Sequence, residues 1–191
     1  LTLEVWYPAE LAKGQATGGE YRDVMTRDGV TRVTLKGQAV RDAAPLKAAA
    51  GYPLVVISHG YPGNRFLLAH LAESLASKGY VCVSIDHKDS TYDDQKAFAS
   101  TLYNRPLDQL FVVREVARLS EAQSPVFLAG LVDVSRTALV GYSMGGYGLV
   151  NAIGGSFTEA VVSRPGAPPN GVLRERTRSD PGYAKSLDPR I

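Results

Sequence analysis

Histidine is scarce in this sequence and unevenly placed. The chain has three, His59, His70 and His87, and none in the remaining residues to 191. Cysteine is scarcer: Cys82 stands alone, which excludes an internal disulfide. Its neighbours in "YVCVSID" make it a small apolar strand residue rather than a reactive thiol. No apolar run approaches the roughly 18–20 residues of a membrane span, so no membrane span is expected. A dominant charge is missing too. The formal net charge is +2 with Lys and Arg scattered, which argues against nucleic acid or an anionic membrane as partner. No G-x-G-x-x-G register fits, and no Gly-rich loop leads into Lys-Ser or Lys-Thr. An initiator Met and a signal segment are also absent: the chain opens directly on the alternating run "LTLEVWYP". Neither terminus reads as a natural domain boundary. The expectation is a soluble protein, with a cytoplasmic and a secreted or periplasmic setting both open.

What is present is an ordinary globular composition, 45% hydrophobic and 21% charged, at a length that fits one domain. After the opening strand comes a polar, Gly-rich stretch, Ala9 to Asp28, then a short strand at "TRVTL" and an Ala-rich connector over Arg41 to Gly51. From there the pattern sharpens. "PLVVISHG", "YVCVSID" and "TALVGY" are short continuous apolar runs, as expected of strands covered on both faces. Between them, "FLLAHLAESLASKG" has helical spacing with Gly79 as its stop. "NRPLDQLFVVREVARL" predicts a second helix, with Asn104 as cap and Pro106 in the first turn. "GGYGLVNAI" leaves the third strand as a helix. The order predicts an α/β sheet with helices on both faces. Ser156 to Pro189, rich in Pro, Gly, Arg and Ser, reads as a long surface loop with one short helix near "GVLRERT".

The chemistry concentrates in "LVGYSMGGYG", Leu139 to Gly148. Gly141-Tyr142-Ser143-Met144-Gly145 places a serine at the apex of a tight strand-to-helix turn. Such a turn strains the serine backbone and requires flanking residues without a Cβ, here Gly141 and Gly145. The helix beyond points its free N–H groups at the site. Acyl transfer also needs donors for an oxyanion. One is the N–H of Met144; the other comes from "SHGYPGNR", the loop after the first buried strand, where Tyr61 offers an N–H and Pro62 offers none.

These segments, with "LAESLASKGYVCVSIDHKDST" and "VDVSRTALVGYSMGGYG", resemble the α/β-hydrolase superfamily. The resemblance is to its dienelactone-hydrolase-like and platelet-activating-factor-acetylhydrolase-like branch, bordering the cutinase-like polyesterases. It implies a three-layer α/β fold with a mostly parallel central sheet. It also implies Ser143 as nucleophile and the amides of Tyr61 and Met144 as oxyanion hole. His59, Tyr142 and His87 become candidates for the site rim, with His59 shaping the oxyanion loop and His87 bonding within its own loop alongside Asp86 and Asp89. In such relatives the acid and base follow the serine, each on a loop after a later strand. Here the downstream acids are Glu159, Glu175, Asp180 and Asp188, and no histidine follows. None of the four fits the acid's position, and His70, on a helix, reads as structural.

The expectation that follows is an incomplete α/β-hydrolase domain over residues 1–191, with the C-terminal strands absent from the chain. Left alone, "TALVGY" would be an exposed apolar edge, an aggregation site. A second polypeptide segment should therefore carry the remaining strands and the triad Asp and His. The leading function is a serine hydrolase of small carboxylic esters; no metal or organic cofactor is called for. The alternative is a non-catalytic binding or scaffold protein that kept the serine turn and lost the triad.

Overall fold

The computed structural model describes residues 1–163, 165 and 169–191. Four strands form the central sheet: β1 (Thr2–Trp6), β6 (Tyr52–Ser58), β7 (Val81–Asp86) and β8 (Val132–Gly141), in the order β1-β7-β6-β8. β7, β6 and β8 run parallel, whereas β1 is antiparallel to β7. The mostly parallel sheet expected from the apolar runs is therefore present, with one antiparallel edge. Two small ribbons lie outside it. β2 (Ala9–Glu10) pairs with β5 (Ala44–Pro45), and β3 (Gly19–Met25) pairs with β4 (Arg32–Gly37).

The apolar strands have no polar alternation because both faces are covered. Along β6, Leu54 and Val56 enter one core with Val112, Val113 and Val116 of α2 (Phe98–Leu119). Val55 and Ile57 enter the other with Ala69, Ala72 and Ala76 of α1 (Ala69–Ala76). Each such aliphatic side chain contributes about 1.5–3 kcal/mol when fully buried. Cys82 belongs to the second core, where burial pushes its thiol up to about 12.

Several elements differ from the sequence expectation. The stretch Ala9 to Asp28 contains β3, whose register shifts between Tyr21 and Val24 around Asp23 at φ 55°. That bulge removes the two-residue alternation by which a strand is recognised. α2 starts six residues before Asn104, at Phe98, and Asn104 is an exposed interior position. Pro106 sits inside the helix, not in its first turn. The span Ser156 to Pro189 holds more structure than one short helix: α4 (Glu159–Val162), a 3₁₀ helix (Pro169–Arg176) and α5 (Tyr183–Ser186); part of that span lies outside the described residues. "TALVGY" is not buried on both faces. β8 pairs with β6 alone among the described residues, so it stands at the sheet edge and most of it is half-exposed.

Candidate active site

The C-terminal ends of β6, β7 and β8 meet on one side of the sheet, and every candidate residue lies there. β8 ends at Gly141, and α3 (Met144–Ala152) begins three residues later. The turn between them is pinned to the end of β6: the Tyr142 N–H donates to the Ser58 carbonyl at 3.0 Å, and the Gly145 N–H donates to the Tyr142 carbonyl at 2.8 Å. A Cβ on Gly145 would overlap the Ser58 carbonyl oxygen, and one on Gly141 would overlap the Gly145 backbone. These approaches are open only to glycine, and they force the apex residue out of line. Ser143 has φ 53° and ψ −114°, a conformation that costs of order 1–3 kcal/mol outside glycine. It is exposed, and its hydroxyl has no hydrogen-bond partner among the described residues.

The loop after β6 lies against this apex. A Cβ on Gly60 would stand 3.3 Å from the Ser143 Cβ and 3.1 Å from the Tyr142 ring. The backbone N–H groups of Tyr61 and Met144 donate to no acceptor among the described residues. Tyr142 is 58% exposed, and the Tyr61 ring packs edge-on against Phe98 at 4.9 Å between centroids. The site thus brings together Ser143, the two amides and one exposed aromatic face.

His59 and His87 do not stand on a rim. Each is 1% exposed, beneath the loop, with both ring nitrogens occupied. His59 Nδ1 bonds the Gly60 carbonyl at 2.6 Å, and its Nε2 accepts the His87 backbone N–H at 3.4 Å. Burial, then the nearby Arg105 charge, lowers the His59 pKa to about 3. His87 bonds Ser58 Oγ through Nε2 at 2.9 Å and Asp108 through Nδ1 at 2.7 Å. Burial and Arg105 likewise hold it well below its ordinary value, while burial raises Asp108 to about 6. Its partners are therefore not Asp86 and Asp89. Asp86 binds the Arg65 backbone N–H at 2.6 Å, and Asp89 accepts from Ser100 Oγ at 2.7 Å. Two neutral imidazoles, each fully engaged, have no lone pair for a proton from Ser143.

The residues that hold this buried layer escaped the sequence reading. Ser58, Ser90, Thr101, Arg105 and Gln109 are all buried. The available signal was the polar stripe Thr101, Arg105, Asp108 and Gln109, which recurs at helical spacing on one side of α2. The downstream acids are engaged elsewhere: Glu159 with Arg174, Glu175 with the Tyr103 hydroxyl, Asp180 with the Gly182 N–H, and Asp188 with Arg190 and Arg114.

A cavity of about 660 Å³ lies elsewhere. It runs along β1 between Trp6, Tyr7, Tyr21, Glu73 and Phe127, and contains none of the serine-turn residues. Among the described residues, no group of three His, Cys, Asp or Glu side chains is disposed to hold a metal ion. No helix among them is long and apolar enough to cross a membrane.

Known proteins resemble this chain in sequence and in fold. A ferulic acid esterase from Streptomyces cinnamoneus superposes with a TM-score of 0.55 at 27% identity, over 78% of this chain and 46% of its own. A cutinase of Thermobifida alba is 37% identical over 97 residues, which is 51% of this chain and 29% of the cutinase. The platelet-activating factor acetylhydrolase of Cavia porcellus is 35% identical over 66 residues, 32% of this chain and 15% of that enzyme. The matches thus span less than a third of these curated relatives and about half of the solved esterase. The sequence model described as PET hydrolase-like matches residues 15–170, and the chain belongs to this family within the α/β-hydrolases.

Proposed function

We propose that this chain carries the nucleophile and oxyanion-hole half of a serine esterase. The carrying observation is Ser143 itself, an exposed serine at φ 53° whose hydroxyl, like the N–H groups of Tyr61 and Met144 beside it, has no partner among the described residues. In this reading Ser143 Oγ attacks the acyl carbon of an ester. The carbonyl electron pair moves onto oxygen, and the Tyr61 and Met144 N–H groups hold that charge. A histidine takes the Oγ proton and returns it to the departing alkoxide, leaving the acyl group on Ser143. Water, deprotonated by the same base, then releases the acid. The base comes from polypeptide outside residues 1–191, because His59 and His87 are committed to buried hydrogen bonds. The edge of β8, unpaired among the described residues, and the exposed Val150 of α3 and Ile153 just after it support a covering segment. Residues 1–191 then form an incomplete domain.

The substrate proposed is a small or short-acyl carboxylic ester, with Tyr61 and Tyr142 as aromatic walls. The names of the cutinase and esterase relatives support the ester class.

The lack of a free imidazole near Ser143 favours a second reading, a non-catalytic binding protein. A fluorophosphonate probe on the assembled protein separates the two. Labelling of wild type that is lost in Ser143→Ala is the expected result, whereas an unlabelled assembled protein sinks the esterase.

A further inference from the structure

The oxyanion loop is held from below by a guanidinium in α2. Arg105 is 1% exposed, seven residues after the start of α2 and between the buried Thr101 and Gln109. Its Nη1 donates to the His59 carbonyl at 2.7 Å. Its Nη2 donates to the Gly60 carbonyl at 3.4 Å and to the Ser90 hydroxyl. The Gly60 carbonyl also accepts from His59 Nδ1 at 2.6 Å. Nδ1 carries the ring proton, since Nε2 is itself the acceptor of the His87 N–H.

Peptide geometry turns these contacts into an orientation. In a trans peptide the C=O and the following N–H point in opposite directions. The Gly60 carbonyl is drawn inward to Arg105 and His59, so the N–H of the same unit, that of Tyr61, faces outward. Gly60 is also the loop residue packed against Ser143. The buried cation is not there for stability alone: taking it out of water is costly, and its Nε finds no partner among the described residues. What a planar, multi-donor group provides is the simultaneous fixing of two successive carbonyls and a hydroxyl.

We propose that Arg105 is a positioning residue for the oxyanion hole, setting the direction of the Tyr61 N–H through the carbonyls of His59 and Gly60. This rests on Ser143 being the nucleophile, and the test separates the two. In the assembled protein, fluorophosphonate titration carried to completion first counts reactive serines. No labelling of wild type defeats the nucleophile reading, and this proposal with it. With labelling present, Arg105→Lys and Arg105→Met are assayed per titrated site with p-nitrophenyl acetate. They are also assayed with a trifluoromethyl ketone, whose hemiketal oxyanion occupies the same hole.

The expected result is a fall in kcat of about 100-fold with KM changed by less than about threefold. The ketone's inhibition constant rises by a similar factor, and Lys retains more activity than Met. Arg105→Lys with kcat and ketone affinity within about twofold of wild type overturns the proposal, as does a rise in KM alone. If neither Arg105 variant folds, Ser90→Ala decides, since it removes one of the two acceptors of Nη2 and leaves the guanidinium in place. A loss of about fivefold in kcat and ketone affinity together is then expected; no change overturns the proposal.

Discussion

The Tyr147 hydroxyl donates to the Leu102 carbonyl at 2.6 Å, joining α3 to α2. Leu102 is four residues before Pro106, so its carbonyl is the one that a helical N–H at 106 would have engaged. The tyrosine takes the place of the missing donor. Tyr147→Phe is expected to destabilise the protein by about 1 kcal/mol by leaving that carbonyl unpaired. In a Pro106→Ala background an N–H is restored, and the same change should cost much less. Urea unfolding of the four proteins measures the coupling. Equal costs in both backgrounds would show that the two residues act independently.

The tight fit of the serine turn makes its glycines unequal. Gly145→Ala drives a methyl into the Ser58 carbonyl, whereas Gly146→Ala meets only the Gly141 carbonyl, at 3.3 Å. A loss of about 1–3 kcal/mol is expected for Gly145→Ala, as for other overpacked sites, together with loss of serine labelling. Gly146→Ala should keep both to a much greater degree. Chemical denaturation and probe labelling of the pair check this, and an unperturbed Gly145→Ala would contradict the geometry.

The buried imidazoles should make the fold acid-sensitive well above the usual carboxylate range. An unfolded histidine binds its proton near pH 6.5, whereas folded His59 does so only near pH 3. Between those values the unfolded state holds the extra proton, so stability falls as pH falls. His87 acts with the same sign. Asp108 acts oppositely: it protonates near pH 6 when folded and near 3.8 when unfolded, so acidification through that window favours the folded state. Two imidazoles against one carboxyl leave about one net proton, a loss of roughly 1.4 kcal/mol per pH unit. Urea midpoints from pH 6.5 to 4.5 should decline accordingly, and more steeply in Asp108→Asn. A flat profile would mean that the imidazoles are charged in the folded state.

The sequence exposes those parts of the fold that rest on local pattern. β6 and β7 are continuous apolar runs, and the glycines around Ser143 name the turn they permit. β3 was hidden because its bulge spaces the buried Tyr21 and Val24 three apart. The start of α2 was hidden because Ala97 makes no side-chain cap while Asn104, a good cap by type, stands mid-helix. In the site, Ser143 and its two amides follow from backbone geometry that glycine spacing encodes. The layer beneath them, Ser58, His87, Asp108 and Arg105, is assembled from three separate elements by tertiary contact. No local period reports which partner each of those side chains finds.

α2 also touches each part of the serine's surroundings. Arg105 reaches the loop after β6 and Ser90 beyond β7, Asp108 reaches His87, and Gln109 Nε2 donates to the Gly145 carbonyl at 3.2 Å. The groups that would bear charge on oxygen are thus braced by one helix, without help from whatever residue moves the proton. Under the proposed function, such a division would make the proton-handling component interchangeable: a different base, natural or engineered, docked along the edge of β8 would leave the proposed anion cradle as it is.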